Sequence, residues 1–538
     1  MKYNTFFKKN ILGAGLAMLA LSPIYVSCES EVVELEPVAN FSDLSAYTTP
    51  ARCELAMIGA YDAAQCGSYN GSYSRGYPFG AASTIQGEMR GEDMNLTAVF
   101  YQITYEAKYS TTSANNMYMW ETSFECINRV NTVMKGEETA VENGILSENQ
   151  GNQYKGECLF LRALTYHNLM LHFALPYNVQ GNNSYGMPLY LTPINTTEEI
   201  AEALKVGRST VAQTYEQIIK DLDAAESLLS ATNSANSITR ATKGAAIALK
   251  TRLYLHMRDW DNVIKEAKKI TKDAVIAPFS SAVGGYALES SPATPFTSYS
   301  SNSESIFSIE NSSDDNGSVN GAMSAMMSCR DGARAIITSS PTLYNSSYWL
   351  EDDKRRALLM YRESDKYYFC DKYQNPTTRE EYNPIIRYAE VLLNYAEAAL
   401  RKDDSTLALE LLNAVRNRSL ANPATQAYEA ADFATTKDML EAILWERRIE
   451  FHGEGRRWED IHRLAADDLV PSKGIPAKIA YSNAQGLGVF VVNGAVNSAW
   501  YSSSATFIPY TDKRFIWPIP QNDLIRNPTL AAQQNSGW

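Results

Sequence analysis

The sequence predicts a mostly α-helical protein, a tetratricopeptide-like repeat scaffold that carries a large irregular, loop-rich lobe. Two observations predict it. Apolar residues recur at helical spacing within helix–turn–helix units of about 34 residues, a repeat length of helical solenoids. Between these units stand stretches at about 66–115, 277–382 and 465–515, rich in Gly, Ser, Asn and Tyr and without helical period. Loops of that length inside an ordered protein are commonly functional.

The clearest helix begins after Arg208. Val211, Tyr215, Ile218, Leu222, Ala225 and Leu229 step by four and three along one face, which turns Lys220, Asp221 and Asp223 outward. Thr210 and Gln213 form a capping box at its start. The next unit spans Thr239 to Thr271. Ala245, Ala246 and Ala248 admit a close neighbour, Arg258-Asp259 makes the turn, and Trp260, Val263, Ile264, Ala267 and Ile270 begin a second face. After Asn383-Pro384 the pattern predicts a helix over Ile385–Leu400, a turn at Lys402–Ser405 and a return over Thr406–Arg418. Gly156–Phe173, apolar nearly all round, reads as a buried helix of the same array. Such pairs bury their faces only by stacking, and the helical repeats are expected over about 116–272 and 383–464.

The first residues read as an export signal. Lys2, Lys8 and Lys9 precede a short apolar run, Ile11–Leu21, and Tyr25-Val26-Ser27-Cys28 resembles a bacterial lipobox, with Tyr25 in place of the usual Leu. The expectation is a signal peptide over 1–27, lipidation at Cys28, an acidic linker over 28–45 (Glu29, Glu31, Glu34, Glu36) and a single domain over 46–538. No other segment has the roughly 18 apolar residues of a membrane helix, so the expected attachment is through lipid alone.

Loss of the three signal lysines moves the formal charge from −13 to −16. An acidic body without Lys/Arg clusters is wrong for nucleic acid, whose binding depends on cationic groups that release counterions. Cys53, Cys66, Cys126, Cys158, Cys329 and Cys370 remain, without CxxC or metal-ligand spacing, so no structural zinc is expected. Cys53 and Cys66 could pair in an oxidising compartment, whereas Cys126 and Cys158 fall in helical text and read as core.

Several segments, dispersed in order over most of the chain, resemble the SusD/RagB nutrient-binding lipoproteins. They include Trp120 with Ile127, Asn128, Val130 and Asn131; Leu161-Arg162-Ala163-Leu164-Thr165-Tyr166; and Arg240-Ala241-Thr242-Lys243-Gly244-Ala245-Ala246. Ile386–Leu393 with Tyr395-Ala396-Glu397-Ala398 and Glu446-Arg447-Arg448-Ile449-Glu450-Phe451 with Glu454-Gly455 and Arg457-Trp458 continue the series, which closes on Trp517-Pro518-Ile519-Pro520. The resemblance implies a non-catalytic subunit on the outer face of the outer membrane. It would capture oligosaccharides, or peptides, for a SusC-like TonB-dependent barrel, with loops making the ligand site and no cofactor. A helical scaffold that binds only proteins is the alternative outside the family.

Sugar binding uses aromatic faces against pyranose rings and polar groups against hydroxyls. The chain holds 33 Tyr against 17 Phe and 8 Trp, and many lie in the loop text. Tyr69, Tyr73, Tyr77, Phe296, Tyr299, Tyr344, Tyr348 and Trp349 are the candidate platform residues; the competing role for each is to anchor its own loop. Glu446, Glu450 and Glu454 could suggest glycoside hydrolysis, but arginine neighbours keep carboxylates ionised, which is wrong for a general acid. Gly87–Asp93, with three acids, reads as a solvated turn rather than a calcium loop, because it lacks EF-hand spacing. His167, His172 and His256 fall in helical text and read as core or helix-surface groups. No nucleophile elbow, Walker loop or zinc-protease motif is present.

Overall fold

The computed structural model describes residues 46–538 apart from 67, 70–71, 74–75, 180–182 and 272–278. The signal peptide, Cys28 and the acidic linker over 28–45 lie outside the described residues.

The longer helices are α1 (Pro50–Cys66), α2 (Ala81–Arg90), α3 (Ala114–Glu142), α4 (Glu148–Phe173), α5 (Val211–Leu228), α6 (Lys243–Met257) and α7 (Trp260–Ile270). After the lobe come α8 (Tyr388–Arg401), α9 (Ser405–Asn417), α10 (Thr436–Glu450) and α11 (Arg456–Arg463). From α3 to α9 each helix packs on the next in sequence, and α10 packs on α8. This is the stacking that a repeat scaffold requires.

The turns share a local grammar. Thr210 and Gln213 close a capping box at α5, and Thr435 does the same with Asp438 at α10. The two pairs α6/α7 and α8/α9 turn alike. Arg258 and Asp403 take left-handed backbone at φ 61° and 63°. Asp259 and Asp404 then cap the returning helix by accepting from the backbone N–H of Asn262 and Leu407. Small residues let α6 and α8 sit deep in the stack: Ala245, Ala246, Ala248, Ala389 and Ala396 are all buried.

Four expectations need correction. Asp221 does not face solvent; it is buried and takes a bidentate pair from Arg162 of α4 at 2.7 and 2.8 Å. Ile385–Arg387 is not helical, because these residues pair with a strand of the lobe and α8 begins at Tyr388. Cys53 and Cys66 lie at the two ends of α1, a separation of about 20 Å at helical rise, and both are buried free thiols. Gly87–Asp93 is neither a solvated turn nor a calcium loop. Glu88 is buried and accepts from the Gly455 N–H at 2.7 Å, while Glu92 and Asp93 pair with Arg457 and Arg448.

The lobe contributes short antiparallel pairs: β1 (Met94–Leu96) with β3 (Ile337–Ser339), β2 (Ser305–Ile309) with β6 (Asn383–Arg387), and the hairpin β4 (Leu359–Arg362)/β5 (Tyr367–Cys370). Buried ion pairs join lobe to scaffold. Arg387 reaches Glu304, Glu450 and Glu454, Arg418 reaches Glu304 and Glu450, and Arg355 reaches Asp353, Glu446 and Glu450. Burial alone would raise the Glu450 carboxyl, but Arg418, Arg387 and Arg355 hold it well below the usual carboxylate range.

Candidate functional site

The clearest candidate for a ligand surface is an aromatic face on the lobe, and it follows from strand alternation. In β5, Tyr367 and Phe369 point inward and are fully buried, which turns Tyr368 outward. Its cross-strand partner in β4 is Tyr361, with ring centroids 5.1 Å apart. Tyr344 stacks on Tyr368 at 4.7 Å and 23°, and Phe490 meets both rings edge-on at 5.2 Å. The result is a half-exposed tyrosine platform over a small apolar cluster of Cys329, Ala335, Tyr367, Phe369 and Phe490.

Loops distant in sequence are tied to this platform. Asn345 donates to Val489 O at 2.8 Å and accepts from the Val491 N–H at 3.0 Å, which seats Phe490. The Gly486 N–H donates to Lys366 O at the hairpin turn, and the Tyr367 hydroxyl donates to Tyr481 O at 2.8 Å. Tyr481 stacks on Tyr367 at 4.6 Å. The β1–β3 pair brings 97–106 alongside, with the Thr97 hydroxyl on Ala335 O at 2.7 Å. Arg362 and Asp365 ion-pair at the hairpin turn; alternation puts Arg362 on the face opposite Tyr361, with its guanidinium 4.8 Å from the Phe369 ring.

Beneath these loops lies Lys478. Its ammonium donates to Met89 O and Tyr105 O, and its backbone bonds Ala505 O and the Ser502 N–H. No carboxylate pairs with it among the described residues. Burial, with Arg90 nearby, pulls its pKa down to about 7. Because the folded value is depressed, the cost of charging the buried amine is complete below pH about 7 and is relieved as pH rises toward the unfolded value of about 10.4. Between pH about 7 and 9, wild type is therefore expected to gain roughly 1.4 kcal/mol per pH unit relative to Lys478→Met, in urea unfolding at each pH. Parallel pH profiles for the two proteins would contradict this.

Of the eight aromatics singled out from sequence, only Tyr344 belongs to the platform, and it backs it: Tyr368 covers one side of its ring and the Arg356 guanidinium, 4.5 Å away, approaches it as well. Tyr77, Phe296 and Trp349 are core residues, between 1 and 5 % exposed, whose packing leaves no ring face for a ligand. The Tyr77 hydroxyl accepts from Gln86, Phe296 packs beneath Lys372 and Arg387, and Trp349 beneath Arg356. Tyr348 stacks on Trp445 and Tyr299 meets Tyr382 edge-on, each apart from the platform cluster. Tyr69 and Tyr73 occupy a two-residue hairpin, paired Ser68↔Tyr73 and Tyr69↔Ser72, and their side chains lie outside the described set. Sequence reading missed Tyr361 and Tyr368. No local alternation marks them: Leu359-Met360-Tyr361-Arg362 and Tyr367-Tyr368-Phe369-Cys370 are nearly all apolar or aromatic, and only strand pairing separates their faces.

The acidic motif has no acid–base site. Glu446 and Glu450 lie on α10 and Glu454 in the turn that follows it, and all are ion-paired and buried. Among the described residues no group of His, Cys, Asp and Glu could hold a metal ion, and no described helix is long and apolar enough to cross a membrane.

The fold is that of the SusD superfamily. It resembles the crystal structure of a SusD superfamily protein from Bacteroides fragilis with a TM-score of 0.72 and 28% identity, covering 90% of this chain and 99% of that one. A surface glycan-binding protein A from Bacteroides uniformis matches with a TM-score of 0.65 and 21% identity, over 90% and 99% of the two chains. Residues 351–538 match the SusD family, and residues 71–255 match a family described as starch-binding associating with outer membrane. SusD-like protein P38 of Formosa agariphila is 23% identical across 97% of this chain and 98% of its own length. The chain belongs to the SusD/RagB family.

Proposed function

We propose that the chain is a non-catalytic surface lipoprotein that captures oligosaccharides on the tyrosine platform and passes them to a SusC-like TonB-dependent barrel. The observation that carries this reading is the cross-strand Tyr361–Tyr368 pair, backed by Tyr344 and Phe490 and left half-exposed. Flat apolar rings suit a pyranose, which offers an apolar face to stack on them. The family described as starch-binding and the surface glycan-binding neighbour favour sugar over peptide.

Affinity electrophoresis of the mature chain against a polysaccharide panel tests it. One glycan is expected to retard the protein without any shortening of that glycan. Tyr361→Ala and Tyr368→Ala are each expected to weaken binding about tenfold, the loss of one stacked ring. Retention of full affinity in both would remove the platform from consideration, and a peptide hit in place of a glycan would redirect the reading to peptide capture.

The lipobox supports attachment to the outer membrane through acyl chains, whose burial contributes about 0.8 kcal/mol per methylene. Cys28→Ala is expected to move the protein from the membrane pellet to the soluble fraction; a variant that stays in the pellet would overturn the assignment.

A further inference from the structure

A cavity of about 730 Å³ opens between the end of α4 and the C-terminal segment, and it shares no residue with the tyrosine platform. Its wall includes Leu175, Ile516, Asn535, Tyr185, Tyr510 and Lys513. Tyr185 is 45% exposed. Immediately behind it lies Arg208, buried, with its guanidinium 5.4 Å from the Tyr185 ring.

The hydrogen bonds of Arg208 are unusual for a buried guanidinium. They go to Gly186 O, Gln533 O, Phe173 O, Tyr185 O and Asn535 Oδ1, at 2.7 to 3.1 Å, and all five acceptors are neutral. Arg162, Arg252, Arg355, Arg387, Arg447 and Arg463, also buried, each face carboxylates. Burial lowers the Arg208 pKa to about 9, which leaves it charged at neutral pH. At the rim, the Lys513 ammonium bonds Gly537 O and lies over the Trp538 ring, while Asp512, which also lines the cavity, is paired with Arg514. Neither Arg208 nor Lys513 has a carboxylate partner among the described residues. In a chain of net charge −13, the cavity is thus a local positive well walled by tyrosines. A charge set in a low-dielectric wall acts over a longer range than one in water.

We propose that this cavity is a second saccharide site, and that it takes a sugar carrying an anionic group, a uronate carboxylate or a sulfate ester. Tyr185 offers its exposed ring to the sugar's apolar face, Lys513 pairs with the anion, and Arg208 supplies the field from behind the wall while it holds Tyr185 and Asn535 in place.

The test is calorimetric titration of the mature chain with three probes of one length: an oligogalacturonate, a sulfated galactan oligosaccharide and an uncharged galactan oligosaccharide. At least one charged probe is expected to bind about tenfold more tightly than the uncharged one and to weaken with added salt. Which of the two binds separates carboxylate from sulfate. Lys513→Gln and Tyr185→Ala alter exposed side chains, so the variants are expected to fold, as circular dichroism would report, and each is expected to cost about tenfold in affinity for that probe. Tyr361→Ala and Tyr368→Ala are expected to leave it unchanged, which separates this site from the platform. Equal binding of charged and uncharged probes would overturn the proposal, as would silence toward both charged probes. Indifference to Lys513→Gln and Tyr185→Ala, or loss only with the platform variants, would overturn it equally.

Discussion

Acidification from pH about 6.5 to about 4.5 is expected to destabilise the protein, well before its ion pairs titrate. All five histidines of the chain, His167, His172, His256, His452 and His462, are buried. Burial, helped by cationic neighbours such as Arg252, Arg90 and Lys372, pushes each below its ordinary value, His452 and His462 to about 3. A group with a depressed folded pKa keeps its contribution above the unfolded value and loses it as pH falls, so the loss begins near pH about 6.5. Buried acids work against it. Burial raises Glu88 to about 8 and Glu137 to about 7, so the folded state already holds their protons, and it raises Glu381, Asp523, Asp62 and Glu125 as well. These acids offset part of the uptake by the five histidines, which leaves roughly one to three protons on unfolding, or about 1–4 kcal/mol per pH unit. Over two pH units that is a large share of the 5–15 kcal/mol typical of a whole domain. The depressed carboxylates of the ion-pair network add to the loss only below about 4.5, where the unfolded acids take up protons. Scanning calorimetry across this range gives the slope. His452→Gln, which can keep the bond to Ser339, is expected to reduce it by one proton. A melting temperature flat from pH 7 to 5 would contradict the account.

Removing Arg387 is expected to cost roughly 3–5 kcal/mol or more, measured as the free energy of urea unfolding. Its guanidinium contacts Glu304, Glu450 and Glu454, all almost fully buried. Arg387→Met fills much of the same space but strands negative charge where water cannot reach it. The ion pair itself is not the source of the effect, because a buried pair roughly balances its own desolvation; the large term is the unpaired remainder. Arg362→Ala provides the contrast. That arginine pairs with Asp365 at a hairpin turn and is 33% exposed, so its loss is expected to stay within about 1 kcal/mol. Similar costs for both variants would show that the network does not couple lobe to scaffold.

The scaffold was legible in the sequence because its rules are local. Helical spacing, the Thr210–Gln213 box and the Arg258-Asp259 turn all lie within a few residues of one another, and the structure has each of them. Side-chain direction was less legible wherever a distant partner decides it. Asp221 sits at an outward position of its own helix until Arg162 of α4 draws it in. The platform was least legible of all. Trp349 and Phe296 lie in polar text that suggests exposure, yet Arg356 folds back over Trp349, and Lys372 and Arg387 from distant segments cover Phe296. Tyr361 and Tyr368 become a pair only through strand register, and Phe490 arrives from more than a hundred residues away through Asn345. Cavities formed between segments, such as the one beside Tyr185, leave no local pattern.

The alternation in the β4/β5 hairpin divides two tasks between neighbouring residues. Tyr367 and Phe369 are fixed by the apolar cluster beneath them, while Tyr361 and Tyr368 touch mainly one another, Tyr344 and the solvent. On the proposed reading, exchanges at the outer pair would change what the platform recognises while the inner pair keeps the hairpin folded, so specificity and stability would be set by separate residues of one short strand pair.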